Sequence, residues 1–374
     1  MKYYLIAGER SGDLHGANLM KGIQANDPDA QFRGWGGDMM QKEGMDLVTH
    51  YKDTAFMGFL EVALNIRKIA GFLKKCKKDI LAYRPDVIIL IDYPGFNLRI
   101  AAFGKDNGIR TFYYISPKVW AWNQKRAWKI KKNVDRMFVI FPFEIDFYKK
   151  FDFKVDYVGN PLMDAIDAFE PDPDFKNKNS LDDKLPVIAL LPGSRRQEII
   201  NMLDLMLTVQ PHFPGYHFVI AGVKNLPESL YEKYRAIRNV SVVYESTYDL
   251  LAVSEAALVT SGTATLETAL LNIPEVVCYK TSGFSYAIAK KLIRVPFISL
   301  VNLIMEKEVV RELIQDDLNE EQLVDELRAI LTNGSKREMQ LKDYSLLHKL
   351  VGGKGASERA GALMVNYINN KQEN

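Results

Sequence analysis

The chain has 374 residues, 47% hydrophobic and 26% charged, with a formal net charge of +2. That balance suits a folded globular protein with room for two domains, and it gives no bulk electrostatic case for a nucleic-acid partner. The two cysteines, Cys76 and Cys278, have no CxxC spacing and no histidine cluster beside them, which argues against a zinc site or a disulfide framework and fits a reducing cytoplasm.

In chain order, the N-terminus reads MKYYLIAGERSGD. Its apolar run is broken by Gly8-Glu9-Arg10 too early for a signal peptide. No uncharged run approaches the roughly 20 residues that span a bilayer, so any membrane contact is expected to be peripheral. Short apolar runs at 3–7, 87–91, 111–115, 136–140 and 155–158 predict strands. Segments with helical spacing or helix formers separate them, among them 12–26, 58–83 and 99–107. Residues 166–186 are polar and dotted with proline, the composition of a linker. The alternation then resumes, with strands expected at 187–191, 216–221, 240–244, 256–260 and 275–279 and helices at 198–209, 226–237 and 263–271. Strands alternating with helices predict parallel sheets covered on both faces. The expected class is therefore α/β, with two Rossmann-like domains at 1–165 and 187–345. A helical tail at 346–374 is expected to pack back on the first domain.

Ligands of open parallel sheets bind beyond the carboxyl ends of the strands, so the residues after each strand carry the functional reading. The first such stretch is AGERSGDLHG, where Gly8 and Gly12 permit tight turns and Ser11 or Asp13 is placed to cap the next helix. It has neither a P-loop ending nor GxGxxG. The second is VIILIDYPGFN, in which a buried run stops on Asp92, ahead of Asn97. A carboxylate there is costly unless paired, hydrated or useful. It reads either as a general base with a raised pKa or as an Asx-type cap of the turn. The third is LLPGSRRQE. Ser194 and Arg195 open a helix, where backbone N–H groups favour an anion and the dipole disfavours cations; two arginines at that place point to a phosphate. The fourth is TSGTATLE, in which Ser261, Gly262, Thr263, Ala264 and Thr265 allow close backbone approach and Glu267 is placed to accept from ribose hydroxyls. Plain N-caps remain the alternative for either loop alone. SPKVWAW, with Ser116, Trp120 and Trp122, reads as a sugar or acyl pocket or as core aromatics. No histidine spacing suggests a metal. The DPD at 172–174 lies in the linker and is discounted.

Residues 54–80 mix apolar side chains, including Phe56, Met57, Phe59, Leu60 and Phe72, with Lys74, Lys75, Lys77 and Lys78. Such a stretch is expected either as a membrane or acyl-chain surface or as a helix packed on the sheet with a solvated lysine face.

Nine motifs in order resemble the lipid-A-disaccharide synthase family: AGERSGDLHGA, FMGFLEV, PDVIILIDYPGFN, YYISPKVWAW, FPFE, VGNPL, LLPGSRRQEI, SGTATLE and LVNLI…KEVVRELIQ. The resemblance covers most of the chain. It implies a GT-B glycosyltransferase, with two domains facing across a cleft, that needs no metal or other cofactor. Its substrates would be UDP-2,3-diacylglucosamine and 2,3-diacylglucosamine-1-phosphate (lipid X). Its products would be the β-1,6 disaccharide phosphate, formed with inversion, and UDP. The resemblance further implies work at the cytoplasmic face of the anionic inner membrane, and it leaves a homodimer open. It assigns UDP to Ser194, Arg195, residues 261–265 and Glu267, and adds Asn302 and the 308–315 segment, including Glu308. It places the acceptor in the first domain, near Ser11, Gly12, Asp13, Asn97, Ser116, Trp120 and Trp122, with Asp92 as base. The chain departs from the family at Asn160 (often His), at Val301 and Arg311 (often Pro) and at Glu275 (usually Met). Rival readings are another UDP-sugar transferase or epimerase of the same architecture, and a non-catalytic membrane-associated UDP-sugar-binding protein.

Overall fold

A computed structural model describes residues 1–54, 66–224, 226–281, 286 and 295–370. The chain divides into two compact units, Met1–Asp164 with Val351–Asn374, and Ala165–Leu350.

Among the described residues, the first unit holds a parallel sheet of β1 (Lys2–Ala7), β2 (Gln31–Gly36), β3 (Asp46–His50), β4 (Val87–Ile91), β5 (Arg110–Tyr114), β6 (Arg136–Val139) and β7 (Asp156–Tyr157). Their order is β3-β2-β1-β4-β5-β6-β7. The apolar runs of β1 and β4 are buried almost end to end, as strands covered on both faces require. The order reverses between β1 and β4, and Ala7 pairs with Ile91. The loops starting at Gly8 and Asp92 therefore leave the sheet side by side, at the place where doubly wound sheets bind ligands.

The second unit repeats the plan with β8 (Val187–Leu191), β9 (His217–Gly222), β10 (Val240–Tyr244), β11 (Ser254–Thr260), β12 (Glu275–Tyr279) and β13 (Arg311–Ile314), ordered β10-β9-β8-β11-β12-β13. Its reversal lies between β8 and β11, where Leu191 pairs with Val259. The PGSR and SGT loops are thus neighbours.

Three strands escape the sequence reading. β2, QFRGWG, lacks β-branched residues; its Gly34 is at φ +154°, where a side chain would strike the Leu5 carbonyl of β1. β3 is an edge strand with mixed polarity, and β13, RELI, is short and charged. The segment expected as a linker is anchored to the second unit. It forms a helix at Phe175–Lys178, and Phe175 and Leu181 are buried beside Val187 and Ala189. Two apolar anchors outweigh its polar composition. The C-terminal helix Ala356–Asn369 lies on Arg10–Gln24 of the first unit. Gly22 and Gly361 permit the crossing, since a Cβ at either would run into the backbone of the other helix.

Candidate active-site groups

The turn after β4 is built around Asp92. Asp92 and Tyr93 both take left-handed backbone conformations (φ 42° and 49°), and Pro94 starts the helix Pro94–Asp106. Two side chains hold the turn through the Asp92 carbonyl: Asn97 Nδ2 donates to it at 2.8 Å and the Tyr113 hydroxyl at 2.5 Å. Asn97 is fully buried, and its amide also donates to the Ile91 carbonyl. Its place is beneath the turn, and it acts on Asp92 through the backbone. The Asp92 carboxylate is open to solvent on one side and crowded by protein on the others. That crowding pushes its pKa up to about 6, with a smaller push from the charge of Glu9; Lys118 and the Tyr93 N–H oppose it. Glu9 and Lys118 were not singled out from sequence. The signal for Glu9 was available, because it follows β1 as Asp92 follows β4.

Other first-unit candidates are placed differently. Ser11 is exposed in the first turn of the helix Arg10–Gln24, and Gly12 packs close to Ala7. Neither Ser11 nor Asp13 caps this helix; Glu9 holds its N-cap position. Asp13 is buried and accepts from the backbone N–H groups of Gly37, Met39 and Met40, at 2.7, 3.1 and 3.1 Å. It caps the helix Asp38–Lys42 instead. Ser116 bonds the Tyr148 hydroxyl at 2.7 Å, and Trp120 is buried edge-on against Phe143. For these two the core-aromatic reading describes the geometry. Trp122 ends the short helix Val119–Trp122, and its side chain is outside the described residues. Behind them lies Glu144, fully buried, its carboxyl pushed up to about 7 by desolvation while the Ile140 and Phe141 N–H groups hold one oxygen. Phe72 is half-buried and edge-on to Trp35. Phe56, Met57, Phe59 and Leu60 lie outside the described residues.

In the second unit, Gly193 (φ 104°) turns the chain after β8, and Arg195 takes the N-cap position of the helix Arg196–Met206. The N–H groups of Ser194 and Arg195 both point to Glu198 Oε2, at 3.0 and 3.2 Å. The Arg195 guanidinium lies 3.4 Å from Glu198 Oε1, its side chain 62% exposed. This cradle therefore already faces an anion, the protein's own carboxylate. In the neighbouring loop, Ser261 donates to the Ile298 carbonyl at 2.9 Å and Thr265 to the Gly262 carbonyl at 2.9 Å. A Cβ at Gly262 would meet only the Thr260 carbonyl, at 3.9 Å, so backbone approach there is open. Thr263 is exposed and Ala264 half-buried at the start of the helix Thr263–Leu270. Burial raises the pKa of Glu267, which accepts from the Tyr248 hydroxyl at 2.8 Å.

Asn302 is buried, and its side chain is occupied: Oδ1 accepts from Val309 and Val310, while Nδ2 donates to the Val310 carbonyl and to Glu312. Glu312, missed from sequence, also accepts from Ile298 and Ser299. The pair thus shapes the loop that Ser261 grips. Glu308 is exposed, 3.4 Å from Arg311. Of the departures, Asn160 caps Leu162, Val301 is core, and Glu275 is fully buried.

Residues 3–365 match the family described as Lipid-A-disaccharide synthetase. The lipid-A-disaccharide synthase of Syntrophus aciditrophicus is 39% identical over 371 residues, 97% of each chain. That of Trichlorobacter lovleyi is 35% identical over 370 residues, again 97% of each. Among solved structures, the UDP-GlcNAc 2-epimerase of Neisseria meningitidis bound to UDP-GlcNAc aligns with a TM-score of 0.65 at 14% identity, covering 99% of this chain and 100% of that one. A glycotransferase of kitacinnamycin aligns at 0.67 and 13% identity, covering 98% and 99%. Likeness at such low identity speaks to the fold, two parallel-sheet α/β domains of the GT-B kind.

Proposed function

The chain belongs to the lipid-A-disaccharide synthase family, and on that premise we propose how its residues carry the family's reaction. It is a glycosyltransferase that forms the lipid A disaccharide from a UDP-sugar. The sugar transferred is 2,3-diacylglucosamine, and the acceptor is 2,3-diacylglucosamine-1-phosphate. Asp92 takes the proton of the acceptor's 6-hydroxyl. That oxygen bonds to the anomeric carbon as the bond from carbon to the UDP oxygen breaks, so the configuration inverts and UDP leaves with the electron pair. Arg195 and the N–H groups of Ser194 and Arg195 offset the charge growing on the diphosphate. The loop at 261–265 lies beside them, and Glu267 receives the ribose hydroxyls.

The observation that carries this reading is the place of Asp92, directly after β4 at the reversal of the sheet. With a pKa of about 6 Asp92 is largely ionised at neutral pH, yet basic enough to accept a proton in the transition state. Its turn is fixed through the Asp92 carbonyl, and the exposed side of the residue is left to substrate. UDP release from UDP-2,3-diacylglucosamine and lipid X in detergent micelles tests it. Asp92→Asn should lower kcat by about a thousandfold while UDP still binds, and the loss of rate below pH about 6 should disappear. Near-normal turnover by that variant would remove Asp92 from the role.

No helix among the described residues is long and apolar enough to cross a membrane. Substrates with acyl chains support peripheral work at the cytoplasmic face of an anionic inner membrane. A homodimer belongs to the same reading, and light scattering of the purified protein tests it.

A further inference from the structure

The helix Arg126–Asn133, RAWKIKKN, carries basic residues and no acid, and Lys125 precedes it. Ala127 and Ile130 are buried against the first unit. Lys125, Trp128, Lys129 and Lys132 are exposed, and their spacing puts them on one stripe. Trp128 is 56% exposed. Phe151 supports its ring edge-on at 5.3 Å, and the Lys131 ammonium lies 5.9 Å from it. Lys149 and Lys150 are exposed just before Phe151 in the chain. Of the nearby acids, Asp152 pairs with Lys131, and Asp146 is exposed one helix away.

The positive character extends to both sides. Just past the helix, Arg136 joins Lys105, Arg110 and Asp135 around a hollow of about 400 Å³. The helix Arg126–Asn133 also packs beside Pro94–Asp106, which contacts Ile66–Tyr83, where Lys68, Lys74 and Lys78 are exposed. The two outer helices of this row turn lysines outward, and the middle one carries Lys105, paired with Asp135. Lysine is depleted in the cores of protein interfaces, where its hydrated ammonium must be stripped of water. An indole among ammonium groups fits the bilayer boundary, where tryptophan sits at headgroup depth and lysines face lipid phosphates.

We propose that the stripe of Trp128 with Lys125, Lys129 and Lys132 docks the first unit on an anionic lipid surface. The inference rests on the reading of both substrates as diacylated lipids, and its four residues lie outside the 54–80 stretch. None of the four stands in the catalytic or UDP-binding machinery.

The test is flotation of the full-length protein with vesicles of phosphatidylcholine alone or with added phosphatidylglycerol. Wild type should bind the phosphatidylglycerol vesicles, and Trp128→Ser with Lys125, Lys129 and Lys132→Gln should bind them about tenfold or more weakly. UDP release in micelles should be unchanged, which also shows that the variant is folded. Lipids brominated near the headgroup should quench wild-type fluorescence more than that of Trp128→Phe. Equal vesicle binding by wild type and the four-site variant would overturn the stripe and leave the membrane reading to the 54–80 stretch. No vesicle binding by wild type would overturn both. Retention on heparin without vesicle binding would assign the stripe to a soluble polyanion and overturn the proposal.

Discussion

The two sheets reverse direction in the same way, yet the two reversal points are furnished for opposite charges. At β1 and β4 the first unit presents carboxylates, Asp92 with Glu9 near enough to raise its pKa. At β8 and β11 the second unit presents backbone N–H groups, Arg195 and an open glycine. Under the proposed mechanism, one backbone plan thus serves proton removal in one copy and anion binding in the other. The side chains in the first few residues after each strand decide which. The sheet supplies position, and the turn supplies chemistry.

The comparison is sharpened by removing the second unit's cation. Arg195→Ala should lower kcat/KM by about a hundredfold and weaken UDP binding, leaving the pH dependence below about 6 in place because Asp92 is untouched. Arg195→Lys should recover only part of the loss, since an ammonium lacks the planar fork that grips a diphosphate. A changed acid limb in either variant would mean that the two reversal points do not act separately.

A carboxylate at the wrong end of a strand gives the contrasting case. Glu275 opens β12, far along the strand from its carboxyl end, fully buried with no hydrogen-bond partner among the described residues for either side-chain oxygen. Desolvation holds its pKa well above the ordinary value. The folded state therefore binds this proton more tightly than the unfolded chain, and stability is lost as pH rises above the usual carboxylate range toward the folded pKa. Glu275→Met, which replaces the buried carboxyl with an apolar side chain, should stabilise the protein by about 2 kcal/mol at pH near neutrality and by less in mild acid. Urea melts at both pH values check it. Equal gains at the two would show that packing, and not charge burial, dominates.

Much of this was legible in the sequence, for identifiable reasons. β4, β8, β10 and β12 were bounded to the residue, because their apolar runs end sharply on polar or turn residues. Asp92 stood out because an acid ending such a run needs an explanation. What stayed hidden depended on tertiary pairing. Asp13 caps a helix that begins 25 residues later, which no local window shows. Asn302 lies in a family-like motif, but its amide groups turn inward to Glu312 and the backbone around Val310. The role of Glu198 was masked because a capping box and a phosphate cradle share one sequence pattern.

That overlap gives the smallest expected effect, and it bears directly on the contrast between the two reversal points. Glu198 occupies the N–H groups of Ser194 and Arg195, so under the proposed assignment UDP has to displace a carboxylate or share the cradle with it. Glu198→Gln keeps the shape and a hydrogen-bond acceptor but removes the negative charge. UDP should bind several-fold more tightly at low salt, with the gain shrinking as salt screens the lost repulsion. The helix should lose a few tenths to about 1 kcal/mol of capping. Calorimetric titration with UDP at two salt concentrations separates these effects. Tighter binding that fades with salt identifies Glu198 as a stand-in for the diphosphate. Weaker binding, of the size expected for Arg195→Ala, would instead make Glu198 the brace that aims Arg195. The second unit's reversal point would then need its own carboxylate as much as the proposed mechanism needs Asp92 in the first.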